Sequence, residues 1–246
     1  MMKKTIAIVH FNTPELTEAA ILSMRKQAKE EYQVVIFDNS NERPFIKPRG
    51  NALGTVKVIN NRKGQIINFD EELAKYPDRE PKYAMKSNFG SFKHILTVQK
   101  LWELIPEGFI LMESDVLIKK PFDFIWDEQF AAVGRIQWHQ PGNLCDVPRL
   151  LPLLCYMNVP LLTANGARYF DPMRCWALQN GVMVRGNWYD TGASLLEDIV
   201  RTKPALVCRN YKTLPECYIH YHGGSWRQNN VEEQKAWLEE HKDLWK

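Results

Sequence analysis

Several familiar signatures are missing from this 246-residue chain. Its five cysteines (Cys145, Cys155, Cys175, Cys208 and Cys217) are odd in number, irregularly spaced and nowhere form a Cys-x-x-Cys pair. That argues against a disulfide framework and for reduced thiols, so a cytoplasmic location is expected. The N-terminus, MMKKTIAIVH, has two lysines but only a four-residue apolar run, too short for the apolar region of a secretion signal. No long apolar run follows. The most apolar later stretch, Leu150 to Leu162, is broken by Pro152, Asn158 and Pro160 and cannot span a bilayer. Repeats and low-complexity tracts are absent. A net charge of +3 is too small to argue for nucleic acid, though it suits anionic substrates or peripheral contact with an anionic membrane surface. The turn after the first strand, HFNTPEL, has neither the glycines of a dinucleotide fingerprint nor those of a P-loop, which disfavours both.

What remains is an ordinary globular composition, 45% hydrophobic and 25% charged, of a length that suits one α/β domain. Thr5 to Val9, Val34 to Phe37, Thr55 to Asn60 and Phe109 to Met112 are short apolar or alternating runs that read as strands, the first two parallel. Between the first two, Thr13 is placed to cap a helix with Pro14 at its first position and Glu15 at its positive end. Leu16, Ala19, Ala20 and Met24 give that helix an apolar stripe. Residues Arg62 to Ser87 are polar and read as a surface insertion. Ser91 to Ile105 reads as a helix ended by Pro106-Glu107-Gly108. Further strands are expected at Ala131 to Ile136, Gly181 to Arg185, Ala205 to Cys208 and Cys217 to Tyr221, and a polar helix from Asn230. In a mostly parallel sheet, ligands bind at the carboxyl ends of strands, where Asp38 and the Glu113/Asp115 pair both stand.

The strongest chemical feature is FILMESDVLIKKPFDF. An apolar strand delivers two carboxylates two residues apart across a small serine. Hard oxygen ligands in that arrangement suit Mn²⁺ or Mg²⁺, with diphosphate oxygens completing the shell. The bland alternative is a pair of solvated acids at a strand end.

In order, IAIVHFNTPELTEAAILSM, VVIFDNS and FILMESDV resemble the front half of family-2-like GT-A glycosyltransferases. The resemblance implies a single GT-A domain over residues 1–246, a mostly parallel sheet flanked by helices. Residues 1–120 would be its nucleotide-binding half and 121–246 its acceptor and donor-sugar half. It implies a nucleotide-sugar donor, a UDP-sugar as first choice, a saccharide or lipid-linked acceptor, and a divalent cation. Phe11, Asn12, Thr13, Asp38 and Asn39 fall in the nucleoside-binding positions. Glu113-Ser114-Asp115 stands where the family has its DxD motif, with Glu in place of the first Asp. CWALQNGVMVRG resembles the segment that shapes the sugar pocket, with Asn180 and Gly181. YIHYHGGSWR resembles the C-terminal histidine loop of metal-dependent members. It implies His220 or His222 as a further metal ligand beside Glu113 and Asp115, with Trp226 and Arg227 near the donor.

Other readings compete at particular residues. Cys217, His220 and His222 have no partner pair at zinc-finger spacing. His94 and His10 read as packing residues. An inverting transferase needs a base for the acceptor hydroxyl, for which Asp190 is the first choice and Asp198 the second. Against this, Asp190 or Thr191 can cap the next helix, and Ser194-x-x-Glu197 is a capping-box pattern. A sugar-nucleotide-forming nucleotidyltransferase is disfavoured by the non-basic first loop. A non-catalytic module of the same fold stays open.

Overall fold

The computed structural model describes residues 3–48, 52–75, 89–138, 147–169, 176–179, 182–185, 190–202, 205–222 and 230–246. The chain opens with β1 (Lys4–His10), α1 (Pro14–Gln27), β2 (Tyr32–Asp38) and β3 (Val56–Asn60). α2 (Phe69–Ala74) and α3 (Phe89–Leu104) precede β4 (Phe109–Met112) and β5 (Val116–Ile118). Then come β6 (Ala132–Gly134), β7 (Ile136–Gln137), β8 (Arg149–Leu150), β9 (Leu154–Met157) and α4 (Val159–Ala164). The last elements are β10 (Trp176–Gln179), β11 (Val182–Arg185), α5 (Ala193–Glu197), β12 (Cys208–Asn210), β13 (Tyr218–His220) and α6 (Val231–Glu240).

Seven of these strands form the central sheet in the order β12-β6-β9-β4-β1-β2-β3. β4, β1, β2 and β3 run parallel, as the first strands' continuous apolar runs predict. β9 is inserted antiparallel between β4 and β6, and β12 returns parallel to β6. Alternation along each strand divides the core between the two faces. Ala7, Val9, Val35, Phe37, Phe109 and Leu111 pack under α3 with Phe92, Ile95, Val98 and Leu101. Ile6, Ile8, Val34, Ile36, Ile110 and Met112 pack with Ala20, Ile21 and Met24 of α1 on the other face. A third cluster joins Leu16 and Ala19 of α1 to Leu117, Tyr221 and Leu238, which fastens α6 and the end of β13 to the body.

Two local expectations change. Thr13 occupies the N-cap position of α1, but its side chain makes no capping bond. Its carbonyl instead accepts from both the amide and the hydroxyl of Thr17, 3.1 Å each. The polar insertion contains a helix, α2, capped by Asn68 accepting from the Glu71 amide, with acidic residues in the first turn. The apolar stretch Leu150 to Leu162 holds the end of β8, then β9, then the start of α4. No helix among the described residues is long and apolar enough to cross a membrane.

Candidate functional site at the carboxyl ends of the strands

Two differently built regions lie along the carboxyl edge of the parallel strands. The first, at the ends of β1, β2 and β3, is closed by buried hydrogen bonds. Asp38 is 1% exposed, and both its oxygens accept from main chain: Oδ1 from the Ser40 amide at 2.8 Å, Oδ2 from the Phe45 amide at 2.9 Å. Asn12 sits at φ 56°, in the left-handed region that Asn tolerates, and its Oδ1 accepts from the Glu42 and Arg43 amides. Its own amide donates to Ser40 Oγ at 2.8 Å. Asn39 donates through Nδ2 to Thr97 on α3 and accepts from Asn61 Nδ2. Asn61 Oδ1 in turn accepts from the amides of Ile66 and Ile67, both at 2.9 Å.

Of the nucleoside-binding positions expected from the sequence, the Asn12, Asp38 and Asn39 side chains are engaged by these internal bonds. Thr13, Asp38, Asn39 and Asn12 are buried, and Phe11 is the half-buried member. Beside it, the Lys93 ammonium lies 5.4 Å from the Phe11 ring and 5.8 Å from the Phe69 ring. Burial lowers the Lys93 pKa, opposed by Asp70.

The second region is built on ion pairs. β4 ends at Met112, and the Glu113 amide donates to the Leu153 carbonyl at 3.1 Å. β13 pairs antiparallel with β5, matching His220 to Val116, and the Tyr221 amide donates to the Asp115 carbonyl at 2.9 Å. This register brings His220 Nε2 to 3.4 Å from Asp115 Oδ1, with side chains 19% and 10% exposed. Burial opposes the His220 charge, but the contact with Asp115 outweighs it and raises the pKa. The exposed His222 ring lies against that of His220, centroids 4.6 Å apart.

His94, which the sequence marks as packing, stands at the centre of this region. Its Nε2 is 3.0 Å from Glu113 Oε1, and its Nδ1 is 3.0 Å from Thr191 Oγ1. With His94 protonated, the 3.0 Å contact of Nε2 with Glu113 is an ion pair. Burial works against the His94 charge. Glu113, with smaller contributions from Asp190 and Asp115, overrides it and raises the pKa. Asp190 accepts at Oδ1 from the Thr191 amide (2.7 Å) and at Oδ2 from the Arg149 guanidinium. Arg149 is fixed further by donating through Nε to Gln137 Oε1 at 2.7 Å, across the β7–β8 pair. The structure thus gathers Glu113, Asp115, Asp190, His94 and His220. Asp198 is turned inward, 3% exposed, and accepts from the Arg168 amide at 2.9 Å, the position of a carboxylate that organises main chain. Ser114 is half-buried between the two acids. Asn180, Gly181, Trp226 and Arg227 lie outside the described residues.

Among the described residues, no three His, Cys, Asp or Glu side chains are close enough to hold a metal ion by themselves. Two donors do fit one whose other ligands come with a substrate. Asp115 supplies a hard oxygen, and His220, whose buried Nδ1 has no hydrogen-bond partner, supplies nitrogen. Glu113 is engaged by His94 instead.

No protein-family model and no curated protein sequence matches the chain. Solved structures do. Mouse xyloside xylosyltransferase 1 is 13% identical with a TM-score of 0.52, the alignment covering 86% of each chain. The galactosyltransferase LgtC, solved with donor and acceptor sugar analogues, is 12% identical over 85% of this chain and 73% of its own, at a TM-score of 0.43. A mannosyltransferase from Pyrobaculum calidifontis, solved with GDP-mannose and Mn²⁺, is 10% identical over 85% of this chain and 54% of its own, with a TM-score of 0.43. The architecture is the GT-A glycosyltransferase fold.

Proposed function

We propose that this chain is a glycosyltransferase that moves a sugar from a nucleoside-diphosphate donor, a UDP-sugar first, to a hydroxyl of a glycan or lipid-linked acceptor. The observation that carries the reading is the β5–β13 pairing, which sets His220 against Asp115 beside Glu113, the residue that His94 in turn links to the Asp190 turn. Fold alone does not give function, so the weight rests on this cluster. Asp115 and His220 would hold Mn²⁺ or Mg²⁺ together with the donor's diphosphate oxygens. When bound, the cation supplies Lewis-acid stabilisation of charge on the departing nucleotide. Lys93, on the same edge beside Phe11, offers the diphosphate a second cation. Asp190 stands nearest the role of acceptor base and needs Arg149 to release one oxygen before it can take a proton. Asp198, buried on the Arg168 amide, is the weaker candidate.

The engagement of Asp190 by both Arg149 and the Thr191 amide favours one second reading, a module of this fold that binds nucleotide without turnover. Calorimetric titration of UDP and GDP with and without Mn²⁺, followed by assay of nucleoside diphosphate released from the matching donor sugar, tests both. Cation-dependent binding with release supports the transferase. Binding without release supports the module, and no binding of either nucleotide sinks both.

A further inference from the structure

The chemistry-bearing group that the sequence motif does not explain is His94. Its ring spans two elements distant in sequence, Glu113 at the end of β4 and Thr191 in the turn before α5. A carboxylate only accepts, so the ring nitrogen facing Glu113 carries the proton. The Thr191 hydroxyl also meets the Tyr169 hydroxyl at 2.9 Å, and the Thr191 amide donates to Asp190. A continuous chain therefore runs from Glu113 through His94 and Thr191 to Asp190 and Arg149. Glutamate in place of aspartate matters here. Removing one methylene withdraws the carboxylate by about 1.5 Å, one C–C bond length, which breaks a 3.0 Å contact.

We propose that His94 is a positioning residue that holds Glu113 away from the cation and ties it to the Thr191–Asp190 turn, which divides the labour of the Glu-Ser-Asp sequence. Asp115, with His220, takes the cation. Glu113 aligns the turn that carries Asp190. This rests on the reading of Asp115 and His220 as the diphosphate–cation site.

The test measures Mn²⁺ binding to the UDP complex by calorimetry and by the Mn²⁺ paramagnetic signal, beside kcat and donor KM, for wild type, D115N, E113Q, H94Q and H94Q/E113Q. D115N removes a ligand and is expected to weaken Mn²⁺ at least about tenfold. E113Q is expected to leave Mn²⁺ affinity within about threefold and donor KM little changed, yet to lower kcat about 10- to 100-fold, the mark of lost alignment. H94Q frees Glu113 to turn toward the cation, so Mn²⁺ binds several-fold tighter while kcat falls, and the second substitution abolishes that tightening. Equal loss of Mn²⁺ affinity in E113Q and D115N makes Glu113 a ligand and overturns the inference. So does weaker Mn²⁺ binding in H94Q. A wild type that binds no cation with UDP or GDP overturns the proposed function and the cation half of the inference. The His94–Glu113 link is then read from urea unfolding, where non-additive midpoints of the two single substitutions support it and additive ones overturn it.

Discussion

Replacing Asp38 by Asn separates two roles for this residue, one inside the protein and one toward a nucleotide. Both carboxylate oxygens accept buried main-chain amides, from Ser40 at 2.8 Å and Phe45 at 2.9 Å. An asparagine has only one accepting oxygen, so its NH₂ must face one of those N–H groups. One charge-assisted bond is lost, the other is weakened, and a buried donor goes unsatisfied, for a total of about 2–4 kcal/mol. For a chain of this size about 2–4 °C accompanies each kcal/mol, so the melting temperature is expected to fall by about 4–16 °C. Urea unfolding followed by circular dichroism measures the loss, and UDP titration on the still-folded protein measures binding. A loop-holding Asp38 predicts large destabilisation, with nucleotide affinity falling only through loss of loop order. Destabilisation under about 1 kcal/mol together with a sharp loss of UDP affinity refutes the reasoning and makes the carboxylate a direct nucleotide contact.

Three further outcomes are expected. Gly192 has φ +78°, and a Cβ there meets the Leu150 carbonyl oxygen at 2.1 Å. Gly192→Ala should therefore cost about 2–4 kcal/mol by denaturation and lower kcat, because Thr191 and Asp190 move with the turn. By NMR titration, His10 should have a midpoint below its ordinary value of 6.5, since burial outweighs the nearby Asp38, while His94 and His220 should have midpoints above 6.5. The signs follow by linkage. The His10 contribution to stability is full above 6.5 and lost as pH falls toward its folded value. Those of His94 and His220 are full below 6.5 and lost as pH rises through their raised values. Trp237→Ala on α6 removes a ring 5.3 Å from that of Tyr221 and should cost about 2 kcal/mol by denaturation. Cation affinity should weaken with it, because the residue after His220 loses its support.

The front of the sheet was legible because β1, β2 and β4 are buried on both faces and read as unbroken apolar runs bounded by turn residues. β9 was not, since it is a four-residue apolar run inside the apolar stretch Leu150 to Leu162, too short to show a period, and only Asn158 and Pro160, which open α4, mark where it ends. β13 falls inside the strand expected at Cys217 to Tyr221, whereas β5 is three residues long and was not expected; its pairing with β13 makes it a strand. At the site, Asp115 and His220 were reached through local motifs. His94 and Thr191 are 97 residues apart, and neither alone departs from a packed histidine or a helix-capping threonine. Asn12, Thr13, Asp38 and Asn39 pose the opposite difficulty. Polar residues at a strand's carboxyl end look alike in sequence whether they face a ligand or fold back on their own loop. For Asp38, burial and the two main-chain amides it accepts show the loop-holding use, and the Asp38→Asn experiment tests the other.

The two regions of the carboxyl edge should therefore respond differently to substitution. Around Asp38, Asn39 and Asn61 the order comes from buried polar groups satisfied by main chain, where removing one partner strands another away from water. Around Glu113, Asp115 and Asp190 each carboxylate has a cationic or protonatable partner: His94, His220 and Arg149. Three acids gathered in one site otherwise repel one another and the incoming diphosphate, so the partners lower the cost of assembling both. The side chains of these pairs are only 10–22% exposed, so each charge is enclosed at some desolvation cost, and a neutral isostere that also relieves the repulsion among the acids offsets much of what the lost pair contributed to the fold. Neutral substitutions there, such as Asp115→Asn, should shift the unfolding midpoint little and activity greatly. Those in the first region should lose stability first and activity only as a consequence. A survey in which Asp115→Asn destabilises as much as Asp38→Asn places the ion-paired region among the structural determinants of the fold and removes its claim to be the reacting site.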